Sequence, residues 1–313
     1  MARSAPHTFN PSRRRALRLI AAYGTLAVMS EHAPAAPSAL HRRPIPRSGE
    51  LLPIVGVGTW QTFDVGPKAP ERAELKEVLR LLAELGGSVV DSSPMYGEAE
   101  RVVGDLTAGL GLRAKLFFAT KVWTSGREAG IRQMENSFRL MRATRMDLMQ
   151  VHNLLDVDVH AKTLREWKAA GRIRYLGITH YHSGAYGELE RLLRTREYDF
   201  VQLNYSMAER EAEARLLPLC AESGVAVIVN RPFAEGALFR QVKGRELPAW
   251  CAEFDCTSWA QFFLKWILSH PAVTCAIPGT RRVEHLKDNM QAGLGRLPDA
   301  AMRRRMVEYL DRL

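Results

Sequence analysis

The chain has 313 residues, of which 46% are hydrophobic, and it carries a formal net charge of +10. This length and composition exclude an intrinsically disordered chain and allow a large core in one or two domains. The first 35 residues hold five arginines and one glutamate, which is +4 of the total and leaves about +6 for the rest. Because those basic residues are scattered, they predict no nucleic-acid partner.

The first 35 residues have the features of an export signal. Residues 12–18 read SRRRALR, which resembles the twin-arginine pattern, and an apolar stretch follows over residues 19–29. Residues 33–35 read APA, a small-x-small site suited to signal cleavage. The apolar stretch is shorter than a membrane span, so we expect no stable membrane anchor.

We therefore predict a twin-arginine signal over residues 1–35 and a mature protein that is periplasmic or secreted. The twin-arginine export machinery is then a partner. A disordered basic leader or a misassigned start codon is the alternative, and a signal that does not function would leave the protein in the cytoplasm.

A Pro- and Arg-rich linker is predicted over residues 36–49, followed by one α/β domain over residues 50–313. Short apolar runs there alternate with amphipathic helical patterns. The runs predict eight strands, at 54–58, 88–91, 116–121, 148–152, 175–179, 200–203, 226–230 and 273–277. The patterns predict helices near 71–85, 98–110, 127–143, 160–171, 184–195, 209–223, 257–269 and 282–292, with one more at 298–311.

Eight apolar strands that alternate with eight helices favour a closed, single-domain (β/α)8 TIM barrel. A doubly wound open sheet is the alternative. Such a sheet usually has a G-x-G-x-x-G turn that opens a helix directly after its first strand. The first strand here leads into VGVGTW, and no helical pattern follows at once. We therefore predict the barrel.

Three consecutive predicted strands end in an ionisable residue. The second ends in Asp91, with Tyr96 five residues further on, the third ends in Lys121, and the fourth ends in His152. These strand ends meet on the active-site face of a (β/α)8 barrel. A buried lysine needs a partner, and an Asp91–Lys121 pair alone could be structural. All four residues on one face favour catalysis. No Cys/His spacing predicts a metal site.

These residues and their spacing resemble the aldo-keto reductases, whose catalytic tetrad is Asp, Tyr, Lys and His in this order. The resemblance covers nearly all of residues 50–292. It includes GVGTW, VVDSSPMYGEAERVVG, ATKVW, QVHN, YLGITHY, FVQLNY and IPGTRRVEHLKDN. It implies an NADP(H)-dependent oxidoreductase, with NAD as the other possible cofactor, that reduces an aldehyde, ketone or quinone carbonyl.

The resemblance also implies the roles of the tetrad. Tyr96 would be the general acid that gives a proton to the carbonyl oxygen. Lys121 would stabilise the Tyr96 phenolate and lower the pKa of the phenol, which is about 10 in a free tyrosine. Asp91 would hold Lys121 charged and in place. His152 would orient the carbonyl group.

A set of cofactor contacts is implied in the same way. Thr179, His180 and Gln202 would lie near the nicotinamide carboxamide, although the family usually has Ser-Asn at the first two positions. Arg231 would either reach the pyrophosphate or be a surface arginine. The other implied contacts are Gly58, Thr59, Asp91, Pro278, Gly279, Thr280, Arg281, Arg282 and Asn289.

Two departures from the family pattern affect the cofactor. Asn230 stands where relatives have an aromatic residue that stacks on the nicotinamide, and Tyr205 or Phe233 would be its replacement. At the phosphate end, many relatives have Lys and Arg where this chain has Gly279 and His285. Arg281 or Arg282 would then bind the 2′-phosphate of NADP, since a guanidinium suits phosphate.

Trp60, Trp123 and Asn153 match positions that line the substrate pocket in the family. Aromatic walls suit an apolar or aromatic carbonyl compound, whereas core packing is the alternative for the two tryptophans. We expect a monomer that binds a small-molecule carbonyl substrate. A non-catalytic NADP-binding sensor or subunit of a larger assembly is the alternative function, and the intact tetrad argues against it.

Overall fold

The computed structural model describes residues 39–68 and 70–313. The predicted signal over residues 1–35 and the start of the predicted linker lie outside the described residues. Within the described ranges, no helix has the length and apolar character needed to cross a membrane.

A barrel of parallel strands surrounded by helices forms the domain. The strands are β1 Arg42–Pro44, β2 Leu51–Pro53, β3 Val57–Gly58, β4 Val89–Asp91, β5 Phe117–Val122, β6 Met146–His152, β7 Ile173–Thr179, β8 Phe200–Asn204, β9 Ala226–Asn230 and β10 Val273–Ala276. The helices are α1 Glu71–Glu84, α2 Ala99–Gly109, α3 Arg127–Leu140, α4 Val157–Ala169, α5 Tyr186–Leu193, α6 Leu216–Ser223, α7 Ala237–Gln241, α8 Trp259–Leu268, α9 Val283–Gln291 and α10 Ala300–Leu310.

Strands β3 to β10 pair in parallel in chain order. Parallel bridges from Val55 to Ala276 and from Gly58 to Gly279 join the two ends of this sheet. The predicted (β/α)8 barrel is therefore confirmed. Its eight strands and nine of its helices lie where the sequence predicts them, with ends that differ by a few residues.

Side-chain alternation along the strands explains how the site is built. Successive residues of a strand face opposite sides, so every second residue of a barrel strand faces the interior. The interior apolar residues on the strands are Val89, Phe117, Ala119, Leu148, Tyr175, Phe200, Ala226, Ile228 and Cys275. Lys121, near the end of β5, faces the interior because it lies two residues after Ala119 and four after Phe117. His152, on β6, faces the interior for the same reason, since it lies four residues after Leu148.

The outer faces of the strands are covered by amphipathic helices. Helix α1 buries Leu75, Val78, Leu79 and Leu82, the apolar stripe that its sequence predicts. These side chains belong to a core cluster between the helices and the sheet. The strands are thus packed by one apolar layer inside the barrel and by a second one beneath the helices, and the strand ends can carry polar groups.

The hairpin of β1 and β2 corrects the linker predicted over residues 36–49. Ile45 and Leu52 are buried in the interior cluster, so the hairpin closes the N-terminal end of the barrel. Arg43 donates hydrogen bonds of 2.5 and 2.6 Å to carbonyl groups at and just after the end of α8. Glu50 accepts a 2.6 Å hydrogen bond from the Tyr175 hydroxyl. Residues 42–45 of the predicted linker are therefore part of the fold, because Arg43 and Ile45 find their partners within it.

Candidate active site

A buried ion pair lies at the C-terminal end of the barrel. Lys121 is fully buried, and its Nζ donates to Asp91 Oδ2 at 2.6 Å and to the Ser92 carbonyl oxygen at 2.7 Å. The other carboxylate oxygen, Asp91 Oδ1, accepts from Gln202 Nε2 at 2.9 Å and from Gln150 Nε2 at 3.2 Å. Four hydrogen bonds therefore stabilise two charges that would otherwise be costly to bury.

The pair keeps Lys121 charged. Burial favours the neutral amine, but the Asp91 carboxylate and the Tyr96 oxygen oppose it, and the pKa of Lys121 is raised above its ordinary value of 10.5. Lys121 is therefore an ammonium group at neutral pH. The sequence predicts this role for Asp91, and the contacts agree with it.

The half-buried Tyr96 lies directly above this pair. Lys121 Nζ is 5.0 Å from the centroid of the Tyr96 ring, and the ring meets His152 edge-on at 5.9 Å. Burial raises the pKa of Tyr96, while Lys121 acts to lower it and Asp91 to raise it; the net pKa is above the ordinary 10.0. Lys121 acts on the pKa in the predicted direction, and burial outweighs this effect. The phenol keeps its proton at neutral pH.

His152 completes the tetrad as a neutral ring. Its Nδ1 lies 3.0 Å from Ser93 Oγ. Burial, followed by the charges of Lys121 and His180, lowers the pKa of His152 to about 2. When Ser93 donates to Nδ1, the single ring proton is on Nε2, and His152 can donate a hydrogen bond to a substrate oxygen.

A cleft of about 710 Å³ opens above the tetrad. The predicted residues that line it are Gly58, Thr59, Trp60, Asp91, Tyr96, Trp123, His152, Asn153, Thr179, Gln202, Asn230, Arg231 and Gly279. Trp60 and Trp123 are 43% and 40% exposed, which does not agree with the core-packing alternative. A concavity of about 820 Å³ at the opposite end of the barrel is lined by charged residues such as Arg113, Asp147 and Arg174 together with apolar and small residues, and contains none of the tetrad.

The residues predicted at the carboxamide differ in their positions. Thr179 Oγ1 donates to Gln202 Oε1 at 3.1 Å, and both residues line the cleft. The His180 side chain does not line it. Its Nδ1 accepts a 3.0 Å hydrogen bond from the Tyr181 backbone N–H, and its ring stacks on Tyr181 with centroids 5.3 Å apart. Burial, followed by the charge of His182, lowers the pKa of His180 to about 4.

Arg231 lines the cleft with its charge already balanced. Its guanidinium lies 3.4 Å from Glu209 and 3.2 Å from Glu235, and it donates to the Tyr181 carbonyl at 2.7 Å. A pyrophosphate there would compete with these two carboxylates. Arg231 is therefore not a free surface arginine.

Tyr205 and Phe233 are the two candidates to replace the aromatic residue that relatives have at the position of Asn230. Tyr205 is fully buried, packs on Trp266 at 5.0 Å and donates its hydroxyl to Glu213, so it lies outside the cleft. Tyr205 is therefore excluded as a residue that stacks on a ligand in this cleft. Phe233 does line the cleft, and its ring contacts Phe239 with centroids 4.8 Å apart.

The loop after β10 contains the residues predicted at the phosphate end. Thr280 Oγ1 accepts from the Arg282 backbone N–H at 3.0 Å, and Arg282 Nε donates to Glu284 at 2.7 Å. Arg281 is exposed and has no ion-pair partner among the described residues. Pro278 and Thr280 are buried beside the loop, and Asn289 is buried on α9.

The cleft is suited to NADP(H). A Cβ atom on Gly58 would lie 2.8 Å from the Ile277 carbonyl oxygen, and one on Gly279 would lie 3.3 Å from the Gly58 carbonyl oxygen. A side chain is therefore excluded at Gly58 and crowded at Gly279, which leaves backbone to face a ligand. Asn153 Oδ1 and Asn230 Oδ1 are buried acceptors that have no partner among the described residues. Such acceptors fit a ligand that carries N–H donors.

The sequence did not single out five residues that belong to this site. They are Ser92, Ser93, Met95, Gln150 and Phe239. Gln150 had a usable signal, since it lies two residues before a tetrad histidine and therefore on the same face of its strand. Its partner in the strand register is Lys121. No group of three or more metal-ligating side chains occurs within the described residues.

Comparison with known proteins identifies the family. The model of the aldo/keto reductase family matches residues 54–306. The chain belongs to the aldo/keto reductase family. This aldo/keto reductase is 31% identical over 258 residues to methylglyoxal reductase YeaE of Escherichia coli (strain K12), an alignment that covers 80% of this chain and 89% of that protein. It is therefore an enzyme, an oxidoreductase, as its tetrad predicts.

Two further proteins are similar to this aldo/keto reductase over most of its chain. The NADP-dependent D-sorbitol-6-phosphate dehydrogenase of Malus domestica is 24% identical over 308 residues, which cover 85% of this chain and 92% of that protein. An aldo/keto reductase from Klebsiella pneumoniae, crystallised with NADP and acetate, is 25% identical with a TM-score of 0.71. That match covers 84% of this chain and 93% of the Klebsiella chain.

Proposed function

We propose that this aldo/keto reductase uses NADPH to reduce the carbonyl group of an aldehyde, ketone or quinone, with Tyr96 as the general acid. The observation that carries the proposal is the buried Lys121–Asp91 pair beneath Tyr96 at the floor of an open cleft. NADP(H) is the cofactor. The NADP bound to the Klebsiella relative and the fit of the cleft support this assignment.

Each member of the tetrad has one task in this reaction. NADPH supplies the hydride for the carbonyl carbon. The Tyr96 hydroxyl gives its proton to the carbonyl oxygen, and neutral His152 donates a hydrogen bond to the same oxygen. The Lys121 ammonium stabilises the phenolate that remains, and Asp91 keeps that ammonium in place. A positioned acid of this kind typically contributes a factor of ~10²–10⁴ to the rate.

The residues that would hold the cofactor lie partly in the cleft and partly in the loop and helix that follow β10. Thr179 and Gln202 would hold the nicotinamide end, Gly58 would face the cofactor with its backbone, and Gly279 and Arg281 would lie at the phosphate end. The other cofactor residues that we propose are Thr59, His180, Arg231, Pro278, Thr280 and Asn289, and Arg282 is the alternative to Arg281 at the 2′-phosphate. His180 does not line the cleft and would act through Asn230, whose side-chain amide donates to the His180 carbonyl oxygen at 3.1 Å.

The substrate is an apolar or aromatic carbonyl compound. Trp60 and Trp123 form walls of the cleft, Met95 and Phe239 add further apolar surface, and Asn153 provides a polar contact. Reduction of an aldehyde is also supported by the name of the Escherichia coli relative, a methylglyoxal reductase.

The test measures NADPH oxidation with a panel of aldehydes, ketones and quinones, for the wild type and for Tyr96→Phe. We expect the substitution to lower kcat/KM by at least about 100-fold and to leave the Kd of NADPH nearly unchanged. Tyr186→Phe is the matched control, because the Tyr186 hydroxyl donates to the Asn204 carbonyl at 2.7 Å, away from the cleft. A Tyr96→Phe enzyme with wild-type turnover would refute the role of Tyr96, and a protein without any reductase activity would leave the sensor alternative.

We also propose that the twin-arginine machinery exports this enzyme and that the mature protein is a periplasmic or secreted monomer. The pattern at residues 12–18 and the cleavage site at residues 33–35 support export. This machinery carries folded proteins, so NADP(H) would cross the membrane in its cleft. Light scattering on the purified enzyme tests the monomer.

A further inference from the structure

Asn230 lies at the end of β9, and of the two polar atoms of its side-chain amide, the nitrogen forms a hydrogen bond and the oxygen does not. Its Nδ2 donates to the His180 carbonyl oxygen at 3.1 Å, which fixes the plane of the amide. Its Oδ1 is buried and accepts no hydrogen bond from the described residues. Reversing the amide would bring two oxygen atoms together, so the unpaired atom is the acceptor. Buried acceptors are normally paired, and this one lies in a residue that lines the cleft.

The neighbouring polar groups are already bonded to one another. Thr179 donates to Gln202 Oε1, and Gln202 Nε2 donates to Asp91 Oδ1. The His180 ring is turned away from the cleft and accepts from the Tyr181 backbone. On this side of the cleft, within the part of the chain that the structure describes, Asn230 Oδ1 is therefore the side-chain acceptor that still lacks a donor.

We infer that Asn230 Oδ1 accepts a hydrogen bond from the carboxamide N–H of bound NADP(H). The inference rests on the proposed function, since it takes NADP(H) as the ligand of this cleft. Hydride transfer next to Tyr96 requires the nicotinamide ring at the tetrad, and the N–H donors at that end of the cofactor belong to its carboxamide. Asn230 thus fixes the rotation of the carboxamide instead of stacking on the ring as an aromatic residue would.

The experiment compares the Kd of NADP⁺ with that of its 3-acetylpyridine analogue, in which a methyl group replaces the carboxamide nitrogen. We expect the wild type to bind NADP⁺ about three- to tenfold more tightly than the analogue. Asn230→Leu, and Asn230→Ala as a smaller variant, should bring this ratio close to one. Titration calorimetry measures both constants without turnover, and circular dichroism checks the fold of each variant.

The matched control is Asn204→Leu. Asn204 pairs with Asn230 in the strand register and is fully buried, but it does not line the cleft. Its substitution should leave the ratio at the wild-type value. If both Asn230 variants keep the wild-type ratio, the inference is wrong. It is also wrong if Asn153→Leu alone abolishes the ratio, because Asn153 Oδ1 is the other unpaired acceptor in the cleft.

Failure of the proposed function gives a different result. If the protein shows the expected ratios of Kd but no carbonyl compound of the panel causes it to oxidise NADPH, the Asn230 contact is retained and the protein is not a carbonyl reductase. A protein that reduces carbonyls while the Asn230 variants keep the wild-type ratio is a reductase without this contact. A wild type that binds no NADP⁺ would overturn both.

Discussion

Burial of a phenol next to an ammonium group determines how Tyr96 should respond to pH. Burial raises the pKa of Tyr96 above 10.0, and Lys121 does not cancel that shift. Carbonyl reduction needs the protonated phenol, so we expect its rate to be level near neutral pH and to fall as the pH rises through this pKa. Alcohol oxidation needs the phenolate, and its rate should rise over the same range.

The pH profile of kcat/KM in both directions provides the measurement. His152 does not titrate in this range, because its pKa is about 2. Lys121 stays charged until alkaline pH, because its own pKa is raised. A rate of reduction that increases from neutral to alkaline pH would contradict the assignment of Tyr96 as the acid.

The loop after β10 leads to a prediction on cofactor preference. Arg282 is bonded to Glu284, whereas Arg281 is exposed and unpaired among the described residues. We therefore expect Arg281→Ala to lower the preference for NADPH over NADH by about tenfold or more, the scale of a lost charged hydrogen bond. Arg282→Ala should change it by less than about threefold. Kd values for both cofactors test this, and a larger effect at Arg282 would reverse the assignment.

At the residue scale, the sequence predicts the tetrad because Asp91, Lys121 and His152 lie at the ends of apolar strands, and Tyr96 follows Asp91 by five residues. It does not predict partners that come from other strands. Gln150 bonds to Asp91 only because β4, β5 and β6 lie side by side in one register. The orientation of His180 depends on local packing against Tyr181, which no sequence pattern shows.

At the scale of elements, the β1–β2 hairpin gives a stability prediction. Ile45 is fully buried against the interior of the barrel, so Ile45→Ala should lower the free energy of unfolding by about 2–5 kcal/mol. Leu51→Ala is the matched control on the same hairpin, because Leu51 is 54% exposed, and it should change stability by less than about 1 kcal/mol. Denaturant unfolding measures both.

The Ile45→Ala variant should keep the wild-type Kd for NADPH, since the hairpin lies at the end of the barrel away from the tetrad. Equal unfolding energies for the two variants would show that the hairpin does not contribute to the core. The β1–β2 hairpin also shows why part of the fold cannot be predicted from the sequence. The barrel strands have apolar runs that predict them, whereas β1 reads Arg-Arg-Pro and gains its stability from partners more than 200 residues away.

At the scale of the whole molecule, the two ends of the barrel have separate tasks. The hairpin closes the N-terminal end with apolar side chains and with Arg43 bonded to backbone carbonyl groups, while the C-terminal end holds the tetrad and the cleft. This division is typical of (β/α)8 enzymes, in which strand ends vary with function and the opposite face supports stability. Substitutions at one end should therefore act independently of those at the other.

Export of the folded enzyme is the prediction that concerns the entire chain. Replacement of Arg13, Arg14 and Arg15 by lysine should retain the protein in the cytoplasm, whereas Arg3→Lys, which lies outside the SRRRALR pattern, should not. Fractionation of cells that express the full chain measures this, and the absorbance of the purified exported protein shows whether NADP(H) travels with it. Because a compartment outside the cytoplasm offers little free NADP(H), we expect exported protein to contain bound cofactor. Wild-type export of the lysine variant would exclude the twin-arginine route, and exported enzyme without cofactor would mean that its reductase chemistry takes place before export.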